Sequence, residues 1–257
     1  MSRVLCVIPA RYGAERLPGK PLLPILGRPM IQWVMEIAQQ AKGIDKVLVA
    51  TDDERIAEAV AGFGGEAVMT DPALPSGSDR VWQAAQRHPD GKNSEILINL
   101  QGDEPLMAPE TLSAVVELLE RDPSGDVATA CVPITDAETF QTPNAVKVVR
   151  GEGHRSLYFS RSPIPSDARF TEAERNAPGR VYGYKHLGLY AFRRPVLEAF
   201  VGMPPSPLEK AERLEQLRIL EAGYKILCGT VQHDASGVDV AADIAYAERI
   251  LRERGRS

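Results

Sequence analysis

Apolar and polar residues follow two alternating periods along the first half of the chain. Five short apolar or β-branched runs predict strands: 4–8 (VLCVI), 46–50 (KVLVA), 66–69 (EAVM), 95–99 (EILIN) and 126–132 (DVATACV). Apolar residues on both faces are typical of a parallel sheet that is covered on both sides. Apolar residues at helical spacing predict helices over 29–41, 54–63, 79–87 and 109–122. This order of elements predicts right-handed crossovers and a three-layer α/β fold.

The second half of the chain is less regular. Residues 146–149, 185–192 and 224–231 predict strands, and residues 208–222 and 241–252 predict helices. Residues 162–182 contain three prolines and several charges, and they predict a long excursion. Because neither an internal repeat nor a linker interrupts the chain, we expect one domain with an inserted hairpin or lobe.

Ligands in such sheets bind outside the carboxyl ends of the strands, where the loop 9–21 follows the first strand. This loop carries Arg11, Arg16 and Lys20 around a glycine-rich turn. It is not a Walker A loop, since five residues separate its two glycines and Pro21 stands where Ser or Thr should bind magnesium. Three cations at this edge can hold a polyphosphate. A solvated basic loop is the alternative.

Acidic residues follow other strands at the same edge. Asp52 and Asp53 come directly before a predicted helix, where an N-cap is the simpler interpretation. Asp103 follows a buried-looking strand and a glycine, opposite the basic loop. Asp239 lies at a strand-to-helix junction, where it either caps the helix or binds a metal. If Asp103 and Asp239 converge, they form a carboxylate pair for Mg²⁺, which takes one or two protein carboxylates and its other ligands from phosphate and water.

Composition narrows the class of protein. The 257 residues carry a net charge of −5, which argues against a nucleic-acid binder and requires a local basic cluster for any anionic ligand. No apolar run is long enough to span a membrane, and the apolar stretch 4–9 is too short for the core of a secretory leader, so we expect neither feature. Cys6, Cys131 and Cys228 lie far apart in apolar runs without zinc or CxxC spacing. We therefore expect buried, reduced cysteines and a cytoplasmic protein.

Ten segments together resemble the sugar-acid cytidylyltransferase family nearly end to end. They are IPARY (8–12), RLPGKPL (16–22), ATDD (50–53), SGSDR (76–80), NLQGDEP (99–105), VKVV (146–149), YFSRSPIP (158–165), KHLGLYAF (185–192), LEQLR (214–218) and GVD (237–239). SRSPIP, KHLG and LEQLR discriminate best, because the phosphate loop is similar across many nucleotidyltransferases.

The resemblance implies a mostly parallel, Rossmann-like sheet of the nucleotide-diphospho-sugar-transferase type, with a smaller inserted lobe for dimerisation and sugar binding. It implies a nucleotide-binding half to about residue 130, a sugar-binding and dimerisation portion over about 131–230, and a C-terminal helix that returns to the sheet over 240–254. The implied reaction transfers CMP from CTP to the anomeric hydroxyl of 3-deoxy-D-manno-octulosonate (Kdo), with Mg²⁺, for lipopolysaccharide synthesis. The implied assembly is a homodimer that binds CTP and a sugar acid, without nucleic acid or membrane.

The resemblance also assigns roles to single residues. CTP would contact Pro9, Ala10, Arg11, Lys20, Ser76, Gly77, Arg80, Gln101 and Asp103. The sugar acid would contact Arg161, His186, Tyr190, Glu215 and Gln216. The implied catalytic residues are Lys20, Asp103, Arg161 and Asp239, with Asp103 and Asp239 as metal ligands. From the residues alone, an interior histidine at 186 and a solvated helix face at 215–216 stay open as alternatives.

Two positions depart from the family pattern. Ala14 and Glu15 stand where small hydroxyl residues are usual, and a carboxylate beside bound triphosphate is unfavourable unless it points outward or touches an arginine. Val240-Ala241 replaces the usual Thr-Pro, so Asp239 is expected to cap the following helix as well as bind metal.

Three alternative functions stay open. The first is a cytidylyltransferase or related nucleotidyltransferase for 8-amino-Kdo, sialic acid or a terpenoid precursor, the last disfavoured by KHLG and LEQLR. The second is a glycosyltransferase, although the Asp-x-Asp motif of that class occurs nowhere in the chain. The third is a CTP-binding module without catalysis.

Overall fold

The computed structural model describes residues 3–13, 17–175 and 177–256. Its strands are β1 (Val4–Ala10), β2 (Pro24–Ile25), β3 (Arg28–Pro29), β4 (Lys46–Thr51), β5 (Ala67–Met69), β6 (Ile96–Leu100), β7 (Val127–Ile134), β8 (Lys147–Arg150), β9 (Ser156–Ser160), β10 (Gly183–Arg193) and β11 (Ile226–Thr230). Its helices are α1 (Met30–Gln40), α2 (Glu54–Gly62), α3 (Gly77–Arg87), α4 (Pro89–Asn93), α5 (Pro109–Arg121), α6 (Ala137–Gln141), α7 (Glu172–Arg175), α8 (Arg194–Val201), α9 (Pro207–Glu212), α10 (Gln216–Glu221) and α11 (Ala241–Glu253).

A nine-stranded sheet forms the centre of the fold. Its main strand order is β11-β7-β10-β6-β1-β4-β5, and β8 and β9 extend from β10. β1 is parallel to β4 and β6, β4 is parallel to β5, and β7 is parallel to β11. β10 runs antiparallel to β6, β7 and β8. The prediction of a mostly parallel α/β sheet is confirmed.

The side chains of β1 show why the fold has three layers. Val4, Cys6 and Ile8 pack into a core with residues of α1 and α5. Leu5 and Val7 pack into a second core with residues of α3 and α8. Because successive strand residues point to opposite faces, an uninterrupted apolar run buries both sides of the sheet between helices.

The antiparallel pair β8 and β9 extends the sheet from β10 in the portion of the chain where an inserted lobe is expected. Val148 lies opposite Phe159 in this pair, and both side chains are buried. The sequence pattern predicts β8 but does not indicate that β9 is a strand. Within 162–182, the described residues form irregular chain with the short helix α7, as expected for an excursion.

The single helix predicted over 208–222 is wrong, because the chain breaks between α9 and α10. Arg213 adopts a φ of 58° at this break. α9 starts with a capping box in which Ser206 and Glu209 each accept the other's backbone N–H. At its end, the Glu212 carbonyl oxygen accepts a hydrogen bond of 3.0 Å from Arg161 Nε. This side-chain donor occupies a helix-end carbonyl that a longer helix would have bonded internally.

Cys6, Cys131 and Cys228 are buried and free of disulfides, as expected. Among the described residues, no helix combines the length and apolar character that a bilayer span requires.

Candidate active site

A cleft of about 390 Å³ opens at the carboxyl ends of β1 and β6. The chain proceeds from β1 to β4 and β5 on one side and returns to β6 on the other, so the cleft lies where the strand order reverses. Its lining residues are Pro9, Ala10, Arg11, Gly13, Lys20, Pro21, Met30, Gln101, Gly102 and Asp103. The structure thus brings together the loops after β1 and β6 that the sequence analysis selected.

Two glycines allow these loops to approach each other. Gly19 has a φ of 70°, and its N–H closes the first loop by donating to the Tyr12 carbonyl at 2.8 Å. A Cβ on Gly102 would lie 2.9 Å from the Pro9 carbonyl oxygen, so a larger residue would push the loops apart.

The side chain of Lys20 joins acidic residues from distant parts of the chain. Its Nζ lies 2.6 Å from Asp103 Oδ2 and 3.2 Å from Asp239 Oδ1. Lys20 is 12% exposed, and the two carboxylates are 36% and 55% exposed. The structure thus brings Asp103 and Asp239 to the same ammonium, and both carboxylates keep exposed surface.

Two contacts fasten the segment that carries Asp239. Lys185 Nζ donates to Asp234 Oδ1 at 2.8 Å. The Val238 N–H donates to the Asp103 carbonyl oxygen at 2.9 Å, which places Asp239 directly beside Asp103. Lys185 and Asp234 were not among the predicted site residues, and their separation in sequence gave no signal of the pairing.

The Asp239 side chain does not cap α11, so that expectation is wrong. Asp243 Oδ2 accepts the backbone N–H groups of Asp239 at 2.7 Å and Val240 at 2.9 Å. An acidic residue in the first turn satisfies these donors from inside the helix. The Asp239 carboxylate is therefore directed to Lys20 instead.

Glu104 lies beside the carboxylate pair and was not predicted as a site residue. Its Oε2 is buried without a hydrogen-bond partner in the described part of the chain. Burial, and then the neighbouring charge of Asp103, raises the pKa of Glu104 to about 8, although Lys185 opposes the shift. The Glu104 carboxyl is therefore mostly protonated at neutral pH, and the carboxylate pair is not joined by a third full negative charge.

The loop that leads into α3 lies against two cleft-lining residues, Pro9 and Arg11. Arg11 donates to the Leu74 carbonyl at 2.6 Å and so ties the loop after β1 to this loop. Ser76 caps α3, and a Cβ on Gly77 would lie 3.4 Å from Pro9 Cγ. Because the N-terminus of a helix carries partial positive charge, the start of α3 contributes positive potential beside the cleft.

Arg80 does not line the cleft. Its side chain is fully buried, with NH2 lying 2.9 Å from Asp52 Oδ2 and NH1 donating to Thr70 Oγ1. This position does not support the expected contact with phosphates, because the guanidinium is covered by protein and already paired. Asp53 is the N-cap of α2, as the simpler interpretation had it.

Three of the predicted sugar-binding residues lie together below the inserted lobe. The His186 ring is 5.3 Å from the Tyr190 ring and 5.0 Å from the Phe159 ring. Burial lowers the pKa of His186 to about 3, so its ring is neutral at physiological pH. Burial, and then the Glu215 charge, raises the pKa of Tyr190.

Arg161 is nearby but its guanidinium is engaged by backbone. Nε donates to the Glu212 carbonyl at 3.0 Å, and NH1 donates to the Pro143 carbonyl at 3.1 Å. Fully buried Lys147 holds the Arg161 carbonyl at 2.7 Å. In this structure Arg161 thus joins β9 to α9, and its guanidinium group does not offer two free N–H donors to a carboxylate.

A chain of hydrogen bonds connects the cleft with the region below the lobe. Gln101 Nε2 donates to Asn99 Oδ1, Asn99 Nδ2 donates to Ser78 Oγ, and Ser78 Oγ donates to Glu215 Oε2, each at 3.3 Å. Gln216 follows as the first residue of α10, and its side chain is buried. The alternative prediction of a solvated helix face is therefore wrong for Gln216. Asn99 and Ser78 lie within motifs already noted, NLQGDEP and SGSDR, but only the structure connects them.

Three predicted features of the first loop lie outside the described residues. These are the cation Arg16 and the two departures Ala14 and Glu15. The described groups already give the site its chemistry, because Arg11, Lys20 and the start of α3 can neutralise a polyphosphate beside a pair of carboxylates.

Comparison with known proteins identifies chains with the same overall plan. The profile of the family described as cytidylyltransferase matches residues 5–226. A 3-deoxy-manno-octulosonate cytidylyltransferase of Thioalkalivibrio sulfidiphilus is 47% identical over 248 residues, covering 95% of this chain and 97% of the relative. A protein of the same name from Thermodesulfovibrio yellowstonii is 44% identical over 251 residues, covering 96% and 97%.

Solved structures show the same likeness. A structure of CMP:2-keto-3-deoxy-manno-octonic acid synthetase complexed with CTP is 43% identical, has a TM-score of 0.88, and covers 98% of this chain and 100% of its own. A 4-diphosphocytidyl-2C-methyl-D-erythritol synthase from Anaerococcus prevotii is 13% identical with a TM-score of 0.64, covering 98% and 96%. At that identity the second similarity concerns the fold alone.

Proposed function

The chain belongs to the cytidylyltransferase family, and from this premise we propose that it transfers CMP from CTP to the anomeric hydroxyl of Kdo. The anomeric oxygen loses its proton to water and forms a bond to the α-phosphorus of CTP, the bond between the α-phosphorus and the bridging oxygen breaks, and pyrophosphate departs. The contact of Lys20 with both Asp103 and Asp239 at the sheet edge is the structural observation that carries the proposal. The full-length likeness to proteins named for this activity supports Kdo as the acceptor.

The triphosphate would lie across the cleft between Lys20 and Arg11. Lys20 already lies 2.6 Å from Asp103, so its ammonium is fixed at the point where the phosphates would meet the carboxylates. Pro9, Ala10 and Gln101 line the cleft and would contact cytosine and ribose, together with Ser76 and Gly77 at the start of α3. Transfer of a nucleotidyl group depends on positioning and charge neutralisation, and these side chains supply both.

The donor set fits Mg²⁺. Asp103 and Asp239 offer hard oxygen ligands, and both already reach a single cation, the ammonium of Lys20. One or two carboxylates with phosphate and water is the usual protein environment of Mg²⁺. When bound, the ion supplies Lewis-acid polarisation and charge screening at the phosphates. Asp103 and Asp239 would hold it, while Lys20 would neutralise the departing pyrophosphate.

The acceptor would lie between the cleft and the inserted lobe. His186 and Tyr190 would offer hydrogen bonds to its hydroxyls, and Glu215 and Gln216 would close the same side. The hydrogen-bond chain from Gln101 to Glu215 supports this arrangement, because it connects the nucleotide side with the acceptor side. Contact of Arg161 with the sugar carboxylate requires the guanidinium to exchange at least one backbone carbonyl for the ligand.

Pyrophosphate release tests the proposal. Purified protein is incubated with CTP and Mg²⁺ and either Kdo, 8-amino-Kdo, sialic acid or no sugar. Release with Kdo alone is the expected result. Release only with 8-amino-Kdo would retain the reaction and change the acceptor, whereas CTP binding without release in any sample would support the non-catalytic alternative.

We also propose a cytoplasmic homodimer in which two inserted lobes meet. Leu157, Phe170 and Val181 are apolar side chains of this lobe with 53%, 47% and 47% exposure, which supports an interface there. The three free cysteines support a reducing compartment. Sedimentation should give a dimer that Leu157→Asp weakens; a monomeric native protein at micromolar concentration would contradict the proposal.

A further inference from the structure

The hydroxyl of Thr129, on β7, fills a bulge in β10 beside His186. The pairing of β10 with β7 shifts register between Leu187 and Tyr190. Thr129 is fully buried, and its Oγ1 lies 2.7 Å from the Leu189 carbonyl oxygen and 3.3 Å from that of Leu187. Bulges near active sites commonly redirect a side chain, and here the bulge immediately follows His186.

The same hydroxyl lies 2.8 Å from His186 Nε2. A hydroxyl has one hydrogen, and the Leu189 carbonyl can only accept, so the Thr129 hydrogen is committed to that carbonyl. The Thr129 oxygen must then accept a hydrogen from His186 Nε2. The alternative, in which Thr129 donates to Nε2, would leave the Leu189 carbonyl without this donor in a buried position, which is costly.

The other ring nitrogen is therefore an acceptor. The low pKa of His186 keeps the ring neutral, and a neutral imidazole with hydrogen on Nε2 has a lone pair on Nδ1. Nδ1 has no hydrogen-bond partner within the part of the chain that the structure describes. Phe159 and Tyr190 contact the ring and hold its plane.

We propose that Thr129 is a positioning residue for the acceptor substrate: it fixes His186 as the Nε2–H tautomer, so that Nδ1 accepts a hydrogen bond from a hydroxyl of the sugar acid. His186 consequently reads a hydroxyl and does not contact the sugar carboxylate, because a lone pair repels an anion. The part of this inference that concerns the sugar rests on the proposed function, whereas the tautomer does not.

The tautomer is measured on the free protein by ¹⁵N NMR of histidine-labelled samples, with His186→Gln to assign the signal. We expect one hydrogen-bearing Nε2 and an unprotonated Nδ1 in the native protein at pH 7. A hydrogen on Nδ1, or a protonated ring, would overturn the proposal whatever reaction the protein performs.

Kinetics then test the consequence for the acceptor. Thr129→Val retains the shape and removes the hydroxyl, and we expect it to raise the Kdo KM on the order of 10-fold with little change in the CTP KM. Thr129→Ser retains the hydroxyl and should restore both the Kdo KM and the tautomer. The matched control is Thr111→Val, because buried Thr111 has no partner for its hydroxyl among the described residues.

Equal rises in both KM values, or a Thr129→Ser variant as impaired as Thr129→Val, would reduce Thr129 to a structural residue and refute the proposal. Failure of the native protein to use Kdo would refute the proposed acceptor and leave the tautomer measurement intact. The two failures are therefore distinguishable.

Discussion

Removing the partner of Arg80 is the most direct test of the buried ion pair beside the cleft. Arg80 is 0% exposed and Asp52 is 15% exposed, with 2.9 Å between Arg80 NH2 and Asp52 Oδ2. Burial is the main cause that lowers the pKa of Arg80, and the Asp52 charge opposes it. Arginine does not lose its proton in proteins, so Asp52→Ala leaves a positive charge buried without its counterion.

The expected magnitude follows from this burial. Breaking a buried ion pair costs about 3–5 kcal/mol, whereas replacing both partners by apolar residues of similar volume is often neutral. For a domain of this size about 1 kcal/mol shifts the melting temperature by about 2–4 °C, so Asp52→Ala should lower it by roughly 6–20 °C. The double variant Asp52→Leu with Arg80→Met should melt within a few degrees of the native protein.

Thermal unfolding followed by circular dichroism measures the stability, and pyrophosphate release measures the CTP KM of the double variant. We expect that KM to stay within about twofold, because Arg80 does not reach the cleft surface. The control is Glu117→Ala, which removes an exposed pair with Arg121 and should cost less than about 1 kcal/mol. An Asp52→Ala variant as stable as the native protein, or a stable double variant whose CTP KM rises tenfold, would refute the buried-pair assignment.

Three further predictions concern other parts of the site and fold. Asp103→Asn should lower kcat on the order of 100-fold or more in the pyrophosphate assay, and near-normal turnover with Mg²⁺ would remove Asp103 from the site. His186→Ala should raise the sugar KM well before the CTP KM, and an unchanged sugar KM would return His186 to a purely structural role. Burial opposes ionisation of Glu209, but the bonds from Arg218 and the Ser206 backbone together outweigh burial and lower the pKa of Glu209. The stabilisation from ionised Glu209 is therefore full above about pH 4.5 and is lost as the pH falls through the lowered pKa. Glu209→Gln should therefore lower the free energy of unfolding by about 1–3 kcal/mol at pH 7, measured by denaturant unfolding. A difference between the variant and the native protein that does not narrow on acidification would contradict this account.

The regular elements of the first half could be predicted from the sequence because their signal is local. The strands β1, β4, β6 and β7 and the helices α1, α2, α3 and α5 all lie close to the predicted ranges. Alternation and helical spacing indicate which residues a covered sheet must bury, and this pattern does not depend on remote parts of the chain.

The error at residues 208–222 occurred where a distant partner decides the local conformation. Nothing in the 208–222 pattern reveals that Arg161 donates to the Glu212 carbonyl and that Arg213 turns the chain there. The error at Asp239 has a local cause, because Asp243, four positions later in the first turn of α11, accepts those N–H groups. Short-range rules select candidates for such hydrogen bonds, but they do not decide which of two nearby carboxylates accepts.

By itself the sequence determined the layered sheet, the loops at its carboxyl edge, and a set of motifs specific enough to identify a family. Only the tertiary structure decided which charges meet: Lys20 with Asp239, 219 positions away, and Arg80 with Asp52 beneath the surface. It also decided that Thr129 faces His186. The physical reason is that periodicity depends on neighbours along the chain, whereas the partner, burial and protonation of a polar group depend on which remote atoms the packed core brings within a few ångströms.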